Sequence, residues 1–254
     1  MKTQSLPLFF SPSPLISDSR IELSVEETRH LYQSRRITPG YSIELINGKG
    51  VRSEGTFVGL TNGRQAVIHI GPCHTIERSL PRVECFFPII RLPRLEIALE
   101  KLTELGIDAI HFYHGTYSIP FSDRAFRQKS DRWQALMAAA MKQSRQPYQP
   151  EITYSSSLEN AISLCRSEFR LVPLETRSGT SLVYHVETAL THDNLACIIG
   201  AEGGFSPDEI EWMTSHQCRF ASLGHSILRT ETAAILTAGL LKTLVRKENS
   251  LCQN

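Results

Sequence analysis

The sequence predicts an α/β protein in which a mostly parallel sheet with flanking helices follows a smaller region of β-structure. Residues 1–75 contain short strand patterns separated by tight-turn signals, whereas residues 76–254 alternate short apolar strands with amphipathic helices. A chain of 254 residues, 41% of them apolar and 21% charged, can bury one large core or two smaller ones. We therefore expect two domains, residues 1–75 and residues 76–254.

The N-terminal region is predicted to hold one short helix and a β-meander or small barrel. Ser24 and Glu27 have the spacing of a capping box, which marks a helix start. Asn47-Gly48 and Asn62-Gly63 are hairpin signals. They separate three predicted strands, at residues 41–46, 51–60 and 65–70. Gly71-Pro72-Cys73-His74 is expected to be a linker.

The C-terminal region alternates strands and helices, which is the pattern of a parallel sheet. Strands are predicted at residues 83–90, 107–113, 169–173, 195–199 and 220–223, with a strand–helix pair over 151–166. Helices are predicted from Pro93 to Gly106 and at residues 122–144 and 231–246. Ser206, Pro207 and Glu209 form a strong signal for another helix start.

Composition excludes several classes of protein. No apolar run approaches the roughly 20 residues that a membrane span needs, and the first residues lack the apolar core of a signal peptide. The six cysteines include no Cys-x-x-Cys pair, which favours reduced thiols. We expect a cytoplasmic protein without a membrane segment.

The two parts of the chain differ in charge. Residues 1–150 carry 19 Lys and Arg against 14 Asp and Glu, and residues 151–254 carry 8 against 12. A basic N-terminal part favours an anionic partner, of which nucleic acid is the common case. The alternative is ordinary scatter of surface charge, because the sequence has no dense basic tract.

A glycine-rich segment stands between a predicted buried strand and a well-capped helix. It contains Gly200, Gly203 and Gly204, which allow positive φ angles and close approach of the backbone to a ligand. In α/β proteins ligands bind at the carboxyl ends of such strands. The segment is neither a dinucleotide fingerprint nor a P-loop. The alternative is a tight structural turn.

A second segment, residues 223–233, also leaves a strand through a glycine and enters a helix. Thr230 is the expected N-cap, and Glu231 complements the helix dipole in the first turn. Arg229 is unexpected there, because the dipole disfavours a cation at a helix N-terminus. We expect Arg229 to serve a ligand or a carboxylate such as Glu202.

These two segments carry a resemblance to a known family. GAEGGFSPDE and LGHSILRTETA resemble the signature of the bacterial 16S ribosomal RNA (uracil-N3)-methyltransferases of the SPOUT superfamily. The resemblance extends over the whole chain, including KLTELG at residues 101–106. The middle also matches at Trp133, Gln143 and Arg145, and the N-terminal region matches more weakly at His30, Arg36, Gly40 and Asn47-Gly48.

The resemblance implies a SPOUT-type α/β domain with a deep trefoil knot, preceded by a small PUA-like β-barrel domain that binds RNA. It also implies a homodimer, a 16S rRNA or small-subunit partner, and S-adenosylmethionine bound by three loops of the knot. The implied cofactor-binding residues are Leu174, Glu175, Ile199, Gly200, Ala201, Glu202, Gly203, Gly204, Leu223, Gly224, Ile227 and Leu228.

Methylation of uracil N3 requires loss of the N3 proton, and negative charge then develops on the flanking carbonyl oxygens. A cation there would stabilise that state, and Arg229 is the candidate. Glu202 or Glu231 is the candidate proton acceptor. The alternatives are a loop-shaping salt bridge for Arg229 and helix-dipole complementarity for Glu231.

Basic residues are candidates for phosphate contact. They are Arg35, Arg36, Arg52, Arg91, Arg94, Lys142 and Arg145. The chain departs from the family pattern at Leu8, Ser34, Ala201, His225 and Ser226, at Lys142, and around Thr116-Tyr117, where a family arginine is missing. The residues expected to bind the cofactor therefore match the family pattern better than those expected to bind RNA.

Other chemistries have little support in the sequence. His111 and His114 lie three apart on a predicted strand and face opposite sides, so we expect no metal site. No cysteine lies beside a recognisable base. Two alternatives remain open: a SPOUT enzyme with another target, such as a ribose 2′-hydroxyl, and an inactive homologue that binds RNA or the ribosome.

Overall fold

The computed structural model describes residues 6–34, 36–175 and 180–244, and these form two units. Unit 1 comprises the described residues up to Arg78 together with Met141–Gln149. Unit 2 comprises Ser79–Ala140 and the described residues from Pro150 onward. Nothing in the local sequence indicates that residues 141–149 belong with the N-terminal unit, since residues 141–144 continue the helix that begins at Asp123.

Unit 1 is built on a five-stranded mixed sheet and one short helix. Its elements are β1 (Leu8–Phe10), β2 (Arg20–Glu22), α1 (Val25–Arg29), β3 (Ser42–Ile46), β4 (Val51–Thr61) and β5 (Gln65–Thr75). The strand order is β1-β3-β4-β5-β2, with β1 parallel to β3 and the other pairs antiparallel. In the described residues β1 and β2 are edge strands, and the PUA-like barrel stays a prediction.

The predicted linker at residues 71–74 is wrong, because these residues belong to β5. Ser53 pairs with Cys73 and Gly55 with Ile70, so β5 holds an extra residue at this point. This bulge accommodates Pro72, which has no N–H for the ladder. Strands β1 and β2 were not predicted, because three residues are too few to show a period. The sequence predicts a helix from Ser24 to about Arg36, but α1 ends at Arg29 and passes into a π-helical turn, His30–Ser34.

Carboxylates engage three of unit 1's basic side chains. Glu44 accepts hydrogen bonds from Arg52 Nε and, at 2.7 Å, from Arg145 Nη1. Lys142 donates to the buried Glu27, so Glu27 does not complete the capping box that its position after Ser24 predicts. Burial opposes ionisation of Glu44, but its bonds to the two arginines hold the pKa of this carboxyl below its usual value.

Unit 2 is a six-stranded sheet with helices. Its strands are β6 (Arg82–Pro88), β7 (Ala109–Tyr113), β8 (Glu151–Ser155), β9 (Phe169–Pro173), β10 (Asn194–Ile198) and β11 (Arg219–Ala221). Its helices are α2 (Leu92–Glu104), α3 (Asp123–Ser144, whose last four residues belong to unit 1), α4 (Leu158–Ile162), α5 (Val186–Ala189), α6 (Pro207–Ser215) and α7 (Thr230–Lys242). A 3₁₀ turn, Leu182–His185, precedes α5.

The strand order β11-β9-β10-β6-β7-β8 is parallel throughout, which confirms the predicted α/β class. Strands β9, β10 and β11 are therefore neighbours, and the loops that follow them leave one edge of the sheet. After β11 at the sheet's end, the chain returns to pack α7 against α2, β6 and β10. The knot implied by the resemblance stays a prediction.

The larger apolar cluster of unit 2 lies between this sheet and helices α2, α3 and α7, and a second cluster includes residues of α4 and α6. Leu95, Leu99 and Leu102 of α2 are buried in the larger cluster, as their spacing predicts. Trp133 of α3 is fully buried against Phe112. Lys242 Nζ donates to Asp108 Oδ2 at 2.9 Å and ties the end of α7 to the sheet. Every helix in the described ranges falls short of what a membrane span requires.

The Glu44 ion pairs predict a loss of stability in acid. Because its folded-state pKa is lowered, Glu44 stabilises unit 1 at neutral pH and stops doing so as pH falls through that pKa. We expect Glu44→Gln to destabilise unit 1 by about 1–2 kcal/mol at pH 7, since the partly exposed arginines weaken the pairs. Hydrogen exchange of peptides from β3–β5, corrected for intrinsic rates, measures the effect.

Glu54→Gln is the matched control, because Glu54 is exposed on β4 directly opposite Glu44. The difference between Glu44→Gln and wild type should vanish once the pH falls below the folded-state pKa of Glu44. Equal loss of protection in both variants, or a difference that persists in acid, would contradict this account.

Candidate functional site

Three loops at the carboxyl ends of β9, β10 and β11 line one cavity of about 280 Å³. Each of the twelve residues predicted to bind the cofactor lies on its wall. Six further residues line the cavity without having been predicted to bind the cofactor: Pro173, Phe205, His225, Ser226, Thr230 and Ala233. The volume is at the lower end of the range for small-molecule sites.

The loop after β10 needs its glycines. A Cβ on Gly200 would lie 3.0 Å from the Phe205 ring and 3.2 Å from the Gly204 backbone. Gly204 has a φ of +76°, which favours glycine, and its N–H donates to the Ala201 carbonyl at 2.9 Å. The loop thus folds tightly on itself and leaves the cavity free of side chains at these positions.

Hydrogen bonds fix the same loop at both ends. The Tyr113 hydroxyl donates to the Ile199 carbonyl, and burial raises the pKa of Tyr113 well above its usual value, so the hydroxyl stays a donor. The predicted capping box of α6 is confirmed: Ser206 Oγ accepts from the Glu209 N–H, and Glu209 Oε2 accepts from the Ser206 N–H at 2.7 Å. The loop is therefore preorganised for a ligand.

The loop after β11 offers unused backbone donors. Within the part of the chain that the structure describes, the N–H groups of residues 225–228 donate no hydrogen bond. Gly224 has a φ of +112° and starts this turn. Ile227 lines the cavity although 79% of its surface is exposed. Free N–H groups and an exposed apolar side chain are what a polar ligand with an aromatic ring would use.

The carboxylate partner expected for Arg229 belongs instead to Arg94. Arg94 Nη1 donates to Glu202 Oε1 at 2.7 Å, and Arg94 Nε lies 3.9 Å from Glu231 Oε1. Arg94 was predicted only as a phosphate contact. The sequence contains no local signal for this pairing, since 108 residues separate Arg94 from Glu202.

Arg229 itself is exposed and, among the described residues, forms no side-chain hydrogen bond or ion pair. The predicted N-cap is also wrong, because Arg229 occupies the cap position of α7 and Thr230 is the first helical residue. Thr230 instead lies on the cavity wall. Arg229 is not among the residues that line the cavity, although its neighbours Leu228 and Thr230 are. The loop-shaping salt bridge is not formed in the described residues.

The two candidate bases differ in exposure. The Glu202 side chain is 44% exposed at the cavity mouth, whereas that of Glu231 is 10% exposed. Glu231 Oε2 is buried and, within the described ranges, has no hydrogen-bond partner. An unpaired buried carboxylate oxygen is costly unless a ligand or water satisfies it.

The candidate phosphate contacts fall into three groups. Carboxylates bind Arg52, Arg94, Lys142 and Arg145. Arg36 and Arg91 are exposed. Arg35 lies outside the described residues. We therefore expect Arg36 and Arg91 to offer more free charge to RNA than the other four.

Metal and thiol chemistry find no structural support. The described residues contain no group of three His, Cys, Asp or Glu side chains able to hold a metal ion. The Cys197 thiol and burial together raise the pKa of Cys85, and burial raises the pKa of Cys165 to about 11. Neither Cys85 nor Cys165 is therefore a ready thiolate.

The family of RNA methyltransferase domains matches residues 77–242. The ribosomal RNA small subunit methyltransferase E of Mycobacterium bovis is 27% identical over 87% of this chain and 86% of its own. The protein of the same name from Rickettsia conorii is 28% identical over 91% of this chain and 93% of its own. These matches confirm the resemblance seen in the sequence.

Solved structures of methyltransferases are also similar to this chain. The crystal structure of a ribosomal RNA small subunit methyltransferase E from Neisseria gonorrhoeae, bound to S-adenosyl methionine, aligns with a TM-score of 0.82 and 25% identity. It covers 94% of this chain and 98% of that one. A methyltransferase from Legionella pneumophila with bound cofactor SAM gives the same score over 93% of this chain and 97% of that one.

The Tyr113 hydroxyl is predicted to hold the β10 loop in place. Tyr113→Phe leaves a buried carbonyl without a partner, and we expect unit 2 to lose about 1–3 kcal/mol of unfolding free energy. Urea denaturation followed by tryptophan fluorescence measures it, because both tryptophans, Trp133 and Trp212, lie in unit 2.

Tyr154→Phe is the control: this hydroxyl also donates to a carbonyl, that of Phe121 at 3.2 Å, but it is only partly buried and water can replace it. A loss in Tyr113→Phe no greater than in Tyr154→Phe would refute the anchoring role.

Proposed function

Because the chain belongs to the family of RNA methyltransferase domains, we propose that it transfers a methyl group from S-adenosylmethionine to N3 of a uridine in 16S rRNA. The observation that carries this proposal is the cavity formed by three loops, in which all twelve expected cofactor-binding residues meet. The relatives' names and the cofactor bound in two similar structures support it.

The residues present fit the cofactor. The glycines at 200, 203 and 204 keep Cβ atoms out of the cavity, and the unused N–H groups of residues 225–228 can hydrogen-bond the adenine edge. Leu174, Leu223 and Leu228 supply apolar walls. The bound cofactor supplies an electrophilic methyl group next to the incoming base.

Glu202 is the better placed of the two candidate bases. Its side chain reaches solvent at the cavity mouth, while Arg94 holds Oε1 and leaves Oε2 available to take the N3 proton. Glu231 is mostly buried and faces the same arginine. We assign Glu231 to the support of Arg94, so that α2, the β10 loop and the start of α7 position the base together.

Arg229 is the candidate for stabilising charge on the uracil carbonyl oxygens. As N3 loses its proton, negative charge spreads to both oxygens, and a free guanidinium can donate to them. Its lack of a carboxylate partner in the described residues keeps this charge available. The N3–carbon bond then forms as the sulfur–carbon bond breaks, and the proton remains on Glu202.

The proposed function also includes RNA contacts by exposed arginines and the formation of a homodimer. Arg36 and Arg91 are the described candidates for contact with the RNA backbone. The homodimer implied by the resemblance is part of the same proposal. Sedimentation of the purified protein tests the dimer, and a monomer that remains fully active would count against it.

The reaction is tested by mass spectrometry of nucleosides from 16S rRNA of cells with and without the protein. We expect 3-methyluridine to disappear without it and to return when purified protein and S-adenosylmethionine are added to the unmodified small subunit. Loss of a 2′-O-methylated nucleoside instead would identify another target. Unchanged nucleosides, together with no cofactor binding in calorimetry, would favour an inactive homologue.

The catalytic roles proposed for Arg229 and Glu202 are tested with one variant of each residue. Arg229→Ala and Glu202→Gln should each lower the rate of methyl transfer by about 10²–10³-fold at saturating S-adenosylmethionine. The Kd for S-adenosylmethionine should change little in Arg229→Ala, because Arg229 is not one of the twelve expected cofactor-binding residues. Single-turnover methylation of unmodified small subunits gives the rate. Arg132→Ala, which removes an exposed arginine paired with Glu96, should leave the rate unchanged. Normal turnover in Arg229→Ala would disprove its role.

A further inference from the structure

We propose that the target base stacks on the aromatic ring of Tyr117 when it enters the site. This inference rests on the proposed function and adds a substrate-binding residue to it. Three features of Tyr117 support this role: the contact of its ring with Gly203, its half-exposed side chain, and the hydrogen bonds that hold its loop.

The ring lies against Gly203, which lines the methyl-donor cavity, although Tyr117 itself is not among the lining residues. A Cβ added to Gly203 would come within 3.1 Å of the Tyr117 Cβ and Cγ atoms. Tyr117 therefore packs on the backbone of one residue of the cavity wall. We infer that a base stacked on the exposed part of the ring is held at this side of the cavity, where positioning relative to the methyl donor governs the rate.

Apart from its contact with Gly203, the Tyr117 side chain is half exposed. Within the described residues it forms neither a ring–ring contact nor a hydrogen bond. By contrast, Tyr184 is more exposed but contacts the ring of His185. Exposed aromatic faces in nucleic-acid enzymes hold unstacked bases. The open face of Tyr117 is therefore suited to a ligand.

Hydrogen bonds hold the loop that carries Tyr117. The Thr116 N–H donates to Glu209 Oε1 at 3.0 Å, which ties the loop to the capping box of α6. Gly115 N–H donates to Ser118 Oγ, and Ser118 N–H returns a bond to the Gly115 carbonyl. A platform fixed in this way binds a base without a large ordering cost.

The charges nearby favour a neutral base over a phosphate. A second hollow of about 380 Å³ adjoins Thr116, and its acidic residues are Glu159, Asp208 and Glu209. Carboxylates repel phosphate but not the face of a neutral uracil. A uracil stacked on Tyr117 would keep its N3 edge free, because that edge lies in the plane of the base. The Tyr117 ring would therefore affect how the substrate is positioned and not the transfer of its proton.

Three variants at residue 117 separate stacking from packing. Tyr117→Phe keeps the aromatic face, Tyr117→Leu keeps an apolar side chain against Gly203 without that face, and Tyr117→Ala removes both. We expect kcat/KM for unmodified small subunits to fall by about 5- to 150-fold in the Leu and Ala variants and by less than 3-fold in Phe. The Kd for S-adenosylmethionine and the Tm should match wild type in all three.

Each other outcome overturns the proposal. Wild-type kcat/KM in Tyr117→Leu would show that packing suffices, and a loss in Tyr117→Phe equal to that in Ala would point to the hydroxyl. A parallel loss of cofactor binding would make Tyr117 part of the cofactor site. Wild-type protein assayed in parallel separates the two proposals: if it transfers no methyl group to uracil, the proposed function fails, whereas a working wild type with unaffected variants refutes only the role of Tyr117.

Discussion

The parallel pairing of β9, β10 and β11 is the constraint on which the site depends. Leu171 of β9 pairs with Cys197 of β10 on one side and with Arg219 of β11 on the other, so the three strands end together. Loops separated by dozens of residues in the chain thereby meet at one sheet edge. Ligands of α/β proteins bind at such edges because the loops there diverge around open space.

The basic side chains differ in whether a carboxylate pairs with them in the described residues. Arg94 lies between Glu202 and Glu231 and joins three elements around the cavity. In unit 1, Glu44 and Glu27 likewise engage arginine and lysine side chains. Arg229 differs, because in the described residues no carboxylate pairs with it. An arginine kept unpaired near a binding cavity retains its full capacity to stabilise developing charge.

Glycine and tyrosine are complementary around the β10 loop. The Tyr113 hydroxyl holds the loop by its hydrogen bond to the Ile199 carbonyl, and the Tyr117 side chain packs against Gly203. A side chain at Gly203 would displace the Tyr117 ring, and one at Gly200 would meet Phe205. The absence of side chains thus serves two purposes: it opens the cavity, and it brings an aromatic ring to the cavity's rim.

The sequence by itself determined the α/β class, most element positions in unit 2 and the capping box of α6. These features follow from local periodicity and turn chemistry, each of which operates over a few residues. Twelve of the residues on the cavity wall were implied by the resemblance of two motifs to a known family. Only the tertiary structure decided that Arg94, not Arg229, pairs with Glu202, that residues 71–74 continue β5, and that residues 141–149 join unit 1. The physical reason is that these contacts join segments distant in the chain, and local sequence preference does not encode such partners.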